Sequence, residues 1–303
     1  MGVLFALLAM FSWGLGDFLI QRSTRRLGTV KKRLGAIFSL QNNDKYSIWI
    51  VLFYICGSGA LVLTPFVWGE IGRIEINDLW LLFAVGLIML VAALLDFKAL
   101  KIGKISVVEP VFALEIPVVL ILASLFLGEF LRPSQYFLII ILAVGIIFVS
   151  IKDLVKIKSF IFERGVGLAV VATVGMGLAD FFVGLGARAS GPLMVNWFLN
   201  LVVAIATLVY LLKSRKMEIT WRYAKENGEL IFFTCFFDNL AWIFFAFSMV
   251  YIPIAVATGI SESYIAMASI LGFVYNKERL KKHQWLGLVL TVISAVVLSL
   301  ITA

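Results

Sequence analysis

The chain has 303 residues, of which 62% are apolar and only 15% charged, and its formal net charge is +8. Soluble domains carry about 45–50% apolar and about 25% charged residues, so this composition excludes an ordinary soluble protein as well as a disordered or collagen-like chain. The basic excess does not describe a nucleic-acid surface either, because the basic residues sit between hydrophobic runs instead of clustering with stacking aromatics on one face.

Uncharged runs such as 46–69 and 189–212 are long enough to cross a bilayer as helices, unlike the short alternating segments of a barrel strand. The sequence predicts an all-α polytopic membrane protein with ten transmembrane helices, near 3–20, 48–68, 79–97, 105–127, 135–151, 165–185, 193–212, 229–248, 253–275 and 284–302. The first lacks the basic leader of a cleavable signal and is expected to remain in the mature chain. It carries Trp13 and ends beyond Asp17, and the long basic segment 21–47 follows it. That segment reads as a cytoplasmic loop that fixes topology. Cys56 and Cys235 both fall inside apolar runs and read as packing residues, not as a disulfide or CxxC pair.

The third helix ends at Asp96, which is expected to pair with a neighbouring lysine at the interface. The fourth holds Glu109-Pro110 and, seven residues on, Ile116-Pro117 with Glu115 between them. Each proline removes a backbone donor, so this helix is expected to kink or unwind locally. The sixth carries Asp180, the eighth Asp238 and the ring-rich run Phe232, Phe233, Phe236 and Phe237, which reads as lipid-facing or core. The ninth carries Ser261, Glu262, Ser263 and Tyr264.

Comparing the halves reveals two self-matches. Gly14-Leu15-Gly16-Asp17-Phe18 corresponds to Gly177-Leu178-Ala179-Asp180-Phe181 at an offset of 163, and Glu129 with Gln135 corresponds to Glu278 with Gln284 at an offset of 149. An insertion in 21–47 accounts for the difference. Two five-helix repeats follow, 1–151 and 165–303, joined by a cytoplasmic connection 152–164. An odd number of spans forces the second copy into the membrane upside down, as in many secondary transporters. Charge counting agrees, since the Lys/Arg bias of equivalent loops reverses at every pair, leaving 23 basic residues on one face and 3 on the other. The positive-inside rule puts the 23 in the cytoplasm and both termini outside.

Trp13-Gly14 in the first helix, the five-helix repeat, and Leu127-Gly128-Glu129 followed by Gln135 together resemble the EamA-like branch of the drug/metabolite transporter superfamily. The resemblance implies two inverted five-helix bundles around a central cavity through which small metabolites move by alternating access. It departs from the family pattern at Asn276-Lys277-Glu278 and in the length of 21–47. It also implies cytoplasmic termini, whereas the charge count puts them outside. The count is followed because it uses all 26 basic residues of this chain.

Seven acids lie within predicted spans, Asp17, Asp96, Glu109, Glu115, Asp180, Asp238 and Glu262. A charge at mid-helix costs about 2.5–3.5 kcal/mol on insertion scales, so such residues usually face a cavity. Glu115, Glu262 and Asp238 fall roughly 14–17 Å into their helices at about 1.5 Å per residue, near the midplane. They are the principal substrate or proton sites, with Glu109, Ser261 and Tyr264 as further candidates. Asp17 and Asp180, near the ends of equivalent inverted helices, are expected toward opposite faces as gates, with Trp13 beside Asp17. Glu129 and Glu278 read as structural, near helix N-termini. Burial disfavours a bare carboxylate charge, and proton-coupled exchange is the expectation that follows.

No metal site or cofactor is expected, and no enzyme, since HExxH, GxSxG and GxxxxGK patterns are missing and His283 is the single histidine. The expected function is a secondary carrier in the cell membrane for an amino acid, amine or drug-like solute. The alternatives are a sugar or other neutral-metabolite carrier, or a non-transporting receptor or scaffold. Expected partners are the small solute, protons or another coupling ion, the lipid bilayer and a second copy in a homodimer, with no nucleic acid.

Overall fold

The computed structural model describes residues 1–29, 46–73, 76–103, 108, 111–150, 165–266 and 281–302. Among them ten helices follow in chain order: α1 (Gly2–Thr29), α2 (Ser47–Val67), α3 (Ile76–Ile102), α4 (Glu115–Leu127), α5 (Pro133–Ser150), α6 (Val166–Ser190), α7 (Pro192–Lys213), α8 (Met217–Tyr251), α9 (Ile254–Glu262) and α10 (Lys282–Thr302). Seven are long and apolar enough to cross a membrane, and α4, α5 and α9 are shorter apolar helices. Trp68, Trp80, Trp221 and Trp285 stand exposed close to helix ends, the placement of an interfacial aromatic belt. Phe232, Phe233 and Phe236 are exposed on the outside of α8.

Several helices overrun their predicted ends because polar residues that read as loop find partners. Residues 21–29, expected in the basic loop, belong to α1. Gln21 Nε2 donates to the Leu100 carbonyl at 3.1 Å, Ser23 Oγ lies 3.0 Å from Thr234 Oγ1, and Arg25 Nη2 donates to the carbonyls of Leu100 and Gly103 at 3.2 and 2.8 Å. The remainder of the expected loop, 30–45, the connection 152–164 and Glu278 lie outside the described residues. In α8 the predicted start at 229 coincides with a real interruption, since Asn227 leaves helical geometry at φ −132°, ψ 31°.

Packing follows an inverted repeat of five helices. α1 packs on α8 as α6 packs on α3, α4 on α6 as α9 on α1, and α3 on α7 as α8 on α2. α2, α4 and α5 each pack on their own copies, α7, α9 and α10. The reciprocity extends to single bonds. Gln135 accepts from the Arg132 backbone N–H at 2.9 Å, and Gln284, 149 residues later, accepts from that of Lys281 at 2.9 Å. Each glutamine thereby satisfies the backbone donor that precedes its own helix, half of a capping box. Arg188, 163 residues after Arg25, donates to the carbonyls of Met249 and Ile252 at 2.8 and 3.2 Å, and these stand 149 residues after Leu100 and Gly103.

Arg188 also pairs with Glu129, whose other oxygen accepts from the Ile254 N–H at 3.0 Å. Glu129 therefore does meet a helix N-terminus, but that of α9 in the second repeat and not that of its own α5. The result is a bolt between repeats, tying the α4–α5 corner to the end of α6 and the α8–α9 turn.

Glycine permits two of the closest contacts. A Cβ at Gly59 of α2 would stand 2.0 Å from Asn239 Oδ1 and 2.3 Å from Asn200 Nδ2, and one at Gly145 of α5 would stand 2.5 Å from Thr291 Oγ1. Around Gly59 the two asparagines join three helices, with Asn200 donating to Asn239 at 3.0 Å and Asn239 donating to the Ile55 carbonyl at 3.0 Å.

Candidate functional site

The fourth and ninth helices are both discontinuous beside an acid. Residues 111–112 are helical, Ala113 and Leu114 form a turn, and α4 begins at Glu115. Pro117 sits in the first turn of α4, where its missing N–H costs no hydrogen bond. At the equivalent place in the second repeat, α9 ends at Glu262, Ser263 turns, and 264–266 are helical again. Ala113 and Leu114 stand 149 residues before Glu262 and Ser263, so the break itself is repeated. Broken helices at a binding site are a recurrent transporter device, because they deliver polar groups to the middle of the membrane.

Both breaks open onto one cavity of about 100 Å³ between the repeats. Six carboxylates line it: Asp17 from α1, Asp96 from α3, Glu115 from α4, Asp180 from α6, Asp238 from α8 and Glu262 from α9. Its lining includes no Lys, Arg or His among the described residues. Trp13 and Trp242 form an aromatic side, meeting edge-on at 5.3 Å between ring centres, with Phe245 4.8 Å from Trp13. Asn196 and Asn200 of α7 add neutral polar surface. Asn196 is anchored by donating to the Pro192 and Trp242 carbonyls at 2.8 and 3.3 Å.

Glu115, Asp180 and Glu262 form the densest part. All three are buried, and one carboxylate oxygen of each lies within 4.8 Å of the others. Two unit charges about 4 Å apart repel by about 4 kcal/mol even at an effective dielectric of about 20. Three carboxylates at that spacing cannot all be ionised unless a cation stands among them; otherwise they share at least one proton. Asp17, the repeat mate of Asp180, is treated differently, since a side-chain hydrogen bond links it to Tyr264.

Of the residues expected from sequence, Glu115, Glu262, Asp238, Tyr264, Asp17, Asp180 and Trp13 all line this cavity. Four expectations change. Asp17 and Asp180 do not sit toward opposite faces but share the cavity, because α1 continues to Thr29 and α6 to Ser190, which leaves both acids well inside their helices. Asp96 pairs with no lysine among the described residues; it lines the cavity, and its Oδ1 is buried without a hydrogen-bond partner among them. Ser261 is not in the lining, since its hydroxyl donates to the Ala6 carbonyl at 3.2 Å and is spent on joining α9 to α1. Cys56, read as packing alone, is buried yet contributes to the lining. Glu109 lies outside the described residues.

Sequence reasoning missed Asn196, Asn200 and Trp242. The available signal was the four-residue spacing of the two asparagines, which puts two polar groups on one stripe of an otherwise apolar helix.

Residues 34–151 and 163–300 each match the profile of the EamA-like transporter family. Among curated proteins no relative matches the chain. One solved crystal structure, at 15% sequence identity, superposes with a TM-score of 0.70 over 99% of this chain and 96% of its own, a likeness of fold alone.

Proposed function

Because the chain belongs to the EamA-like transporter family, we propose that it is a secondary carrier moving small cationic or zwitterionic metabolites, such as amino acids and amines, through the carboxylate cavity by alternating access. The observation that supports this reading is the charge of the cavity, with six carboxylates and no base among the described lining residues. A polyanionic solute would need the reverse, because a charge moved into a membrane interior requires an opposite partner there. Glu115, Glu262 and Asp238 offer acceptors to an ammonium group, and Trp13 and Trp242 in the lining add aromatic surface of the kind that attracts a cation. The reciprocal packing of the repeats supports this reading, because an exchange of conformations between inverted copies would open the cavity to the other side. Proton coupling follows if a carboxylate of the cluster releases its proton when the solute arrives. The reading places the chain in the cell membrane with both termini outside, on the 23-to-3 division of basic residues.

The test is a thermal-shift screen of the purified chain against amino acids, amines, sugars and drug-like solutes, repeated with Glu115→Gln and Glu262→Gln. A ligand that binds the folded state alone raises its stability, by about 2.7 kcal/mol at a hundred times its dissociation constant. Stabilisation by amines or amino acids that vanishes in both variants is expected. Stabilisation by sugars alone, or stabilisation unaltered in the variants, would defeat the proposal.

A further inference from the structure

We infer that Glu115, Asp180 and Glu262 form a binding site for a hard divalent cation of the Mg²⁺, Mn²⁺ or Ca²⁺ class. The three side chains come from α4, α6 and α9 and converge with one oxygen each inside 4.8 Å. Oxygens around Mg²⁺ at about 2.1 Å, or Ca²⁺ at about 2.4 Å, stand about 3.0–3.4 Å apart when adjacent and up to about 4.8 Å when opposite. The observed convergence within 4.8 Å brings the three oxygens into the range of a shared ion. The donor set is oxygen alone, with neither imidazole nor thiolate, which selects hard cations over zinc and copper.

Two further observations point to a ligand. Asp180 is only 2% exposed, lines the cavity, and its Oδ2 has no hydrogen-bond partner among the described residues. A buried carboxylate oxygen in that state needs a proton, a water or an ion. The repeat then shows what has been exchanged. Asp17 and Asp180 are equivalent at an offset of 163, and Glu115 and Tyr264 are equivalent at an offset of 149. In one copy the aspartate meets a tyrosine hydroxyl. In the other the same pairing sets aspartate against glutamate, and Glu262 closes the third side. Where one copy has a hydroxyl donor facing the aspartate the other has an acid, and a cation takes the place of the hydrogen bond that the hydroxyl gives. Glu262 closes α9 at its C-terminal end, where the partial negative charge of the helix also favours a cation.

The site lies in the cavity assigned above to solute, but it is a binding site whether or not the chain carries a solute. Its test therefore reads binding and not flux, and the two can fail separately. The full-length chain, purified in detergent and stripped with chelator, is titrated with Mn²⁺ while the electron paramagnetic resonance signal of free aqueous Mn²⁺ is followed. Saturable loss of signal at one Mn²⁺ per chain, reversed by excess Mg²⁺ or Ca²⁺, is expected. Asp180→Asn and Glu262→Gln each remove a ligand and should weaken binding by at least the tenfold or so typical of outer-shell changes. Glu218→Gln, at a side chain 82% exposed on α8, should leave it unaltered. Intrinsic tryptophan fluorescence confirms folding, and either ligand variant alone suffices. No saturable Mn²⁺ binding by the wild-type chain, or equal weakening in Glu218→Gln, would overturn the assignment.

Discussion

Arg188 and Glu129 show how much one side chain can carry in this fold. Arg188→Ala removes an ion pair and two carbonyl contacts and leaves Glu129 with the Ile254 N–H. The pair is partly exposed, at 31% and 17% of its side chains, so screening discounts contacts that would be worth more when fully buried, and a loss of about 2–4 kcal/mol is expected, with thermal unfolding several degrees lower. Glu129→Gln keeps both carbonyl contacts of Arg188 and should cost less, and a larger loss in Glu129→Gln would show that Arg188 is held by the pair alone. At this scale the acids were legible from sequence, because ionisable residues in apolar runs are rare and costly. Their convergence was not. In the sequence, polar residues such as Arg25 read as the ends of helices from which depth follows, but Arg25 is satisfied on the carbonyls of Leu100 and Gly103 at the end of α3 and the helix continues past it. The metal-like triad was equally invisible, since its members are 65 and 82 residues apart and only tertiary packing of α4, α6 and α9 unites them.

Among the elements, α2 depends on Gly59 for its approach to α7 and α8. Gly59→Val places its Cβ on the Asn200–Asn239 pair and should destabilise by about 1–3 kcal/mol, the usual cost of overpacking. Gly57, two residues earlier, has open space around its Cβ position. Gly57→Val is the matched control and should melt near the wild-type temperature; equal melting of the two variants would show that α2 can shift without cost. The break before Glu115 was legible, because Pro110 and Pro117 announce an interrupted helix. The matching break at Ser263 was not, because no proline or glycine marks it, and Ser263 spends its hydroxyl on the Ile260 carbonyl one turn back. It becomes legible only when the repeat offset carries Leu114 onto Ser263.

For the molecule as a whole, the inverted repeat was readable from two short self-matches and the alternation of basic loops, and the reciprocal packing of α1–α5 on α6–α10 follows it. Orientation is a separate claim that rests on charge. Alkaline phosphatase joined to the C-terminus folds only outside the cytoplasm, so the fusion should be active and a fluorescent-protein fusion dark; the opposite pair of results would place the 23 basic residues outside. The carboxylate cavity is where the repeats, the helix breaks and the charge converge, and moving a small cationic solute through it is the central claim. The most direct measurement is uptake of labelled basic amino acids and polyamines into proteoliposomes, with and without unlabelled solute inside and with and without an imposed pH gradient. Saturable uptake that unlabelled solute inside accelerates, and that falls about tenfold or more in Glu262→Gln as expected when a charged buried contact is lost, is the predicted result. Uptake no faster than into protein-free vesicles, or unchanged in Glu262→Gln, would contradict it.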